Sequence, residues 1–175
     1  MQPCFIASLF YSATTTYGSV SQTLKYLADL SPHPTLSTFN LQFPTERAKI
    51  VQDFEEHIKQ LTSINDVTGE RKIIALIDTI ASNPGVLLPW KEMVAICREA
   101  GVMSVVDGAQ SIGQELDINL SEARPDFWVS VCPPILLVNY RDDAFVPQRI
   151  VTNGSFRRGE VPFFMSRRGL VNLLN

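Results

Sequence analysis

Cysteine, histidine and lysine are scarce in this 175-residue chain, and each scarcity removes a class of function. The three cysteines, Cys4, Cys97 and Cys132, are odd in number and lack metal-ligand spacing, which argues against a disulfide framework and against a metal site. His33 sits between two prolines and His57 within a charged helix face, so neither reads as a catalytic base. No lysine follows Lys91. Long apolar runs are missing too, since none reaches the roughly 18 to 20 residues that cross a bilayer. The apolar start MQPCFIASLFYSA lacks the basic stretch that precedes a secretory segment, and it reads as a strand of a cytoplasmic protein. A formal net charge of -3 gives no general attraction to nucleic acid or to an anionic membrane.

What is present is an apolar fraction of 45%, enough for one ordinary core or for part of a larger domain. The charge is uneven. Residues 141–175 carry six arginines against Asp142, Asp143 and Glu160, a balance of +3 that leaves -6 on the first 140 residues. This marks a compositional boundary near Tyr140. The arginine pairs of the tail, with Phe156, Phe163 and Phe164 as stacking rings, raise a nucleic-acid reading. Acidic and apolar residues separate those pairs and no recognised module surrounds them, so no nucleic-acid partner is expected.

The pattern along the chain is that of strands alternating with helices. CFIASLFYS reads as a strand, with Thr14, Thr15 and Thr16 as candidate caps for a helix carrying Val20, Leu24, Leu27 and Ala28 at helical spacing. TLSTFNLQF alternates as a half-buried or edge strand. From Thr45, read as a cap, Ile50, Val51, Phe54, Ile58 and Leu61 share one helix face. KIIALID is a continuous apolar run, the mark of a strand covered on both faces. SNPGVLLPW reads as a loop whose Pro89 suits the first turn of a helix, WKEMVAICREAG, that stops on Gly101. VMSVVD, DFWVSVC and ILLVNY supply further strands. The order implies an α/β fold with right-handed crossovers and a mixed, mostly parallel sheet. Ligands of such sheets bind at the carboxyl ends of the strands, where Asp78 and Asp107 lie.

Three segments carry a family resemblance: YGSVSQTLKYL, the run from Ala75 to Gln114, and RPDFWVS. Together they resemble the class V aminotransferases, pyridoxal-phosphate enzymes of fold type I. The branch they resemble most is the fungal one with isopenicillin N epimerase and cysteine desulfhydrase or desulfurase. The resemblance implies a three-layer sandwich in which residues 1–130 form part of the large cofactor domain and 131–175 a divergent tail. It implies that Asp107 pairs with the protonated pyridine nitrogen of the cofactor, whose pKa a carboxylate raises. Gln110 falls where the family reaches the phenolic oxygen, and Tyr17 where it places a ring over the cofactor. Asp78 and Ser82 fall at the pocket mouth; capping of the loop before Pro84-Gly85 is their alternative role.

The resemblance also implies a Schiff-base lysine, in an Asn-x-His-Lys-Trp motif after the DFWVS strand. Here Cys132 fits the branch, but the His-Lys slot falls on Pro133-Pro134. The phosphate-binding loop ahead of the first strand and the small C-terminal domain are expected to lie outside this sequence, the tail reflecting altered splicing or a frameshift. An intact form would be a carbon-sulfur lyase of the desulfhydrase type acting on a sulfur-containing amino acid, with epimerase or aminotransferase chemistry as alternatives. The chain as written is expected to be inactive alone, with no covalently attached cofactor. It would act as a homo-oligomer, pair with an intact homologue, or persist as a non-enzymatic binding partner.

Overall fold

The computed structural model describes residues 7–29, 34–65, 72–131, 134–138, 163–166 and 169–172. Strand β1 (Ala7–Ala13) leads into helix α1 (Gly18–Asp29) and strand β2 (Thr35–Phe39). Helix α2 (Arg47–Asn65) precedes β3 (Lys72–Asp78), the short strands β4 (Ile80–Ala81) and β5 (Val86–Leu87), and helix α3 (Trp90–Glu99). Then come β6 (Met103–Asp107), α4 (Leu120–Ala123), β7 (Phe127–Val131) and β8 (Pro134–Val138). The six-stranded sheet has the order β2-β1-β3-β6-β7-β8, parallel throughout except for β8, which pairs antiparallel with β7. Strands β9 (Phe163–Ser166) and β10 (Gly169–Asn172) form a separate antiparallel pair.

Strand alternation decides which side chains are buried. Leu9, Tyr11, Ile73, Ala75, Ile77, Val106 and Trp128 share one core with Ile50, Phe54, Ile58 and Leu61 of α2 and Trp90, Met93, Val94 and Cys97 of α3. The helical spacing of these α2 and α3 residues is what lets each helix lay one apolar stripe on the sheet. Ile74, Leu76, Met103 and Val105, pointing the other way, are only half-buried. The apolar run KIIALID therefore corresponds to a strand fully covered on one face among the described residues, where coverage of both was expected. A buried carboxylate ties the sheet together lower down. Asp126, ahead of β7, accepts from the backbone N–H and the hydroxyl of Ser104 on β6, at 2.7 and 3.0 Å.

The local reading needs several corrections. Helix α2 starts at Arg47, and the carbonyl of Glu46 accepts from Ile50, so Thr45 lies outside the cap. Thr14 does not cap α1: its hydroxyl donates to the Leu41 carbonyl at 2.9 Å and accepts from the Leu41 N–H at 3.0 Å. Thr16 reaches across the sheet instead, as shown below. The loop before α3 contains the β4–β5 ladder, and Pro89 occupies the N-cap position of α3, one residue ahead of the first turn. His57 is half-buried rather than on a charged face. Its ring lies against Tyr11 and Phe39, its Nε2 is 3.1 Å from the Ser37 hydroxyl, and burial lowers its pKa. Cys97 is fully buried, whereas Cys4, Cys132 and His33 lie outside the described residues.

Candidate active site

Strands β3 and β6 are neighbours, and their register sets Asp78 directly opposite Asp107 at the carboxyl ends of both. Alternation puts both carboxylates on the face away from Ile77 and Val106. Asp107 is half-buried, its Oδ1 accepting from the Ala109 N–H at 2.9 Å. Burial raises its pKa against the opposing pull of that bond. Asp78 is 6% exposed. Its Oδ2 accepts from the Thr16 hydroxyl at 3.0 Å, and its carboxylate also takes the Tyr17 backbone N–H. Burial, with a smaller contribution from the negative charge of Asp107, raises its pKa from 3.8 to about 6.

The sign of the resulting stability effect follows from proton counting. Between about pH 4 and pH 6 the folded chain holds a proton at Asp78 that the unfolded chain has released, so rising pH destabilises the fold across that window. Asp78→Asn removes this penalty. Compared with the parent, the variant is expected to lose about 2 to 3 kcal/mol less stability between pH 4 and pH 7, measured by urea unfolding at both values. Parallel pH profiles for the two proteins would contradict the assignment.

The backbone beside the two carboxylates is held by buried hydroxyls. Thr79, fully buried, donates both its N–H and its Oγ1–H to the carbonyl of Asp107, at 2.9 and 3.1 Å, and its Oγ1 accepts from the equally buried Ser111 hydroxyl at 2.6 Å. Gly108 continues the strand direction, its N–H donating to the Val129 carbonyl at 2.7 Å. The chain then turns through residues 109–114, which places Gln110 in solvent. The Asp-Gly-Ala run therefore leaves its strand in one defined direction.

Of the residues singled out from the sequence, Asp107 and Asp78 stand side by side. Tyr17 is 56% exposed at the start of α1, joined to this edge through Thr16 and its own backbone N–H. Gln110 is exposed in the turn three residues after Asp107, and Ser82 is exposed in the turn between β4 and β5. Pro133 lies outside the described residues, and Pro134 opens β8, paired with Val131. The sequence reading takes Thr16 only as a helix cap and passes over Thr79, Ser111, Trp128 and Ser130. Thr79 directly follows β3 and Ser130 lies near the end of β7, while Thr16 and Ser111 lie in the turns beyond β1 and β6 and Trp128 lies early in β7.

Three buried polar atoms at this edge have no hydrogen-bond partner among the described residues: Ser130 Oγ, Trp128 Nε1 and Thr15 Oγ1. Ser130 follows Val129, the register partner of Asp107, so alternation turns its side chain to the face opposite the Asp107 carboxylate. A half-buried carboxylate at a strand end can receive a ring N–H and so fits a protonated pyridine nitrogen, whereas Trp128 and Ser130, on the Val106 face of the sheet, point away from it. The fit stops at the amine. Lys72 enters β3 at the end opposite Asp78, and Lys91 is held by the Asp117 carbonyl and by Glu115. No group of His, Cys, Asp and Glu among the described residues could hold a metal ion. No helix among them is long and apolar enough to cross a membrane.

Comparison with known proteins agrees with this geometry. Residues 43–131 match the model of the aminotransferase class-V family. An L-cysteine desulfhydrase-like protein, lolT1, of Epichloe uncinata is 37% identical over 125 residues, covering 71% of this chain and 26% of that protein. A putative L-cysteine desulfhydrase 1 of Oryza sativa subsp. japonica is 35% identical over 145 residues, covering 75% of this chain and 28% of that one. Among solved structures, pyridoxamine-pyruvate aminotransferase from Mesorhizobium loti superposes with a TM-score of 0.52 at 14% identity, over 72% of this chain and 29% of the other. That likeness concerns the fold. The chain spans about a quarter of the length of the curated relatives it matches. Family match, sheet order and the aspartate at the end of β6 agree: the chain belongs to the class V aminotransferase family, whose cofactor is pyridoxal phosphate and whose fold is that of the fold-type-I enzymes.

Proposed function

We propose that this chain is the ring-binding core of a pyridoxal-phosphate-dependent carbon-sulfur lyase of the desulfhydrase type, and that as written it binds the cofactor without attaching it covalently. One observation carries the reading: Asp107 ends a central parallel strand half-buried, its backbone fixed by Thr79 and Ser111 and its carboxylate on the less covered face. When bound, the cofactor supplies an electron sink for the substrate's α-carbon. Asp107 holds the ring nitrogen protonated, Gln110 donates to the phenolic oxygen and Tyr17 covers the ring. Asp78 stands behind this edge, its carboxylate taken up by the Thr16 hydroxyl. The desulfhydrase names of the relatives support a sulfur-containing amino acid as substrate, and the setting proposed for the chain is cytoplasmic. Epimerase or aminotransferase chemistry remains the alternative for an intact form.

The test is release of sulfide from L-cysteine by the purified chain supplied with pyridoxal phosphate. The expected result is saturable cofactor binding with sulfide release no faster than free cofactor produces. Absence of binding would contradict the proposal, and rapid sulfide release would contradict its second half. Proline in the His-Lys slot at Pro133-Pro134 favours a second reading, a non-enzymatic partner that pairs with an intact homologue or with a second copy of itself. Co-purification with such a homologue, at fixed stoichiometry, distinguishes it.

A further inference from the structure

We infer that Asp78 is a positioning residue: through Thr16 and the Tyr17 backbone it fixes the first turn of α1, and so holds the Tyr17 ring at the strand-end edge where Asp107 lies. The inference rests on the reading that Asp107 binds the cofactor ring. A buried carboxylate is a costly way to join two elements, because its charge loses hydration. Asp78 adds to that cost by standing opposite a second carboxylate, Asp107. What it gains is two bonds to consecutive residues, the Thr16 hydroxyl and the Tyr17 N–H. The second bond fixes the peptide plane ahead of Tyr17. The Tyr17 carbonyl, accepting from Ser21 at 2.9 Å, fixes the plane behind it. Thr14 secures the other end of the same loop, its hydroxyl bonded both ways to Leu41. The backbone of Tyr17 is therefore fastened on both sides while the residue is 56% exposed. A rigid mount carrying an open aromatic face is prepared for a planar ligand, since the ring's ordering cost is met before the ligand arrives.

The test is a double-mutant cycle read by titration with pyridoxal 5′-phosphate, each variant being first checked for wild-type far-UV circular dichroism. Tyr17→Ala is expected to weaken binding about tenfold, in line with the loss of one stacked ring. Thr16→Val leaves the ring in place but cuts its tether, and a loss of about fivefold is expected. In the Thr16→Val background Tyr17→Ala should then cost less than about twofold, because a ring no longer held in place has little left to contribute. Asp78→Asn can still accept from the Tyr17 N–H, with the Thr16 hydroxyl turning to accept from the new amide, and should bind within about twofold of the parent. Thr16→Ala serves the cycle if Thr16→Val does not fold. Losses that simply multiply would overturn the inference, as would an Asp78→Asn defect as large as that of Thr16→Val. A parent chain that does not bind the probe would overturn the cofactor reading itself, and this inference with it.

Discussion

Gly108→Ala is expected to destabilise the chain by about 3 kcal/mol, the upper end of the usual cost of overpacking, and to leave little folded protein. The reason lies in one contact. A Cβ built on Gly108 would sit 2.8 Å from Trp128 Nε1 and deeper still inside the van der Waals surfaces of Cε2 and Cζ2. Neither partner can yield easily. Gly108 is held by its N–H bond to Val129 and by the Ser111 N–H donated to its carbonyl, at 2.7 and 3.0 Å. Trp128 is 1% exposed within the main core. The nearby Gly113 provides the contrast. Its φ of +86 strains any side chain, yet nothing lies within 4 Å of its Cβ position, so Gly113→Ala should cost only about 1 kcal/mol. Urea unfolding of both variants checks the difference. Trp128→Phe should recover part of the Gly108→Ala loss in the double variant, because the smaller ring vacates the contested volume. Equal stability of Gly108→Ala and the parent would show that the sheet end is not packed as described.

The second large effect concerns binding. Asp107→Asn is expected to weaken pyridoxal-phosphate affinity about a hundredfold while leaving stability unchanged or slightly higher. Loss of a partly buried charge pair to a protonated ring nitrogen is worth about 3 kcal/mol, which corresponds to that factor. The stability sign follows from the direction of the pKa. Burial raises the Asp107 carboxyl, so ionising it opposes folding at neutral pH, and a neutral amide relieves that opposition. Opposite movements of affinity and stability cannot come from a loosened fold. Isothermal titration beside urea unfolding measures both, and a parallel fall of the two would assign Asp107 a structural role.

Asp107 was legible in the sequence because two independent signals converge on it: an apolar strand-length run that stops on an acid, and the flanking Gly-Ala and Gln of a known motif. Most of the sheet was legible for a similar reason. KIIALID, VMSVVD and DFWVSV are strand-length apolar runs separated by turn signals or by a capped helical pattern, and such runs read unambiguously. The connections to the site were not legible. A threonine after a strand reads as a helix cap by propensity, and only the tertiary placement of β3 beside β1 sends Thr16 to a carboxylate sixty-two residues away. Thr79 and Ser111 were hidden by the same rule. Small hydroxyls carry no periodicity, and their value lies in what the fold brings near. His57 shows the converse, since its charged neighbours on α2 concealed a ring packed against Tyr11. The half-exposed second face of β3 could not be read either, because an apolar run reports that a strand prefers burial and not which segments cover it.

The measurement that tests the account most directly is borohydride reduction of the chain saturated with pyridoxal phosphate, followed by intact-mass analysis, with Asp107→Asn in parallel. The account expects saturable binding that depends on Asp107, full release of the cofactor on denaturation, and no stoichiometric phosphopyridoxyl adduct after reduction. A one-to-one adduct on a lysine of the parent, lost in Asp107→Asn, would show that the chain completes its own Schiff base and would contradict the account.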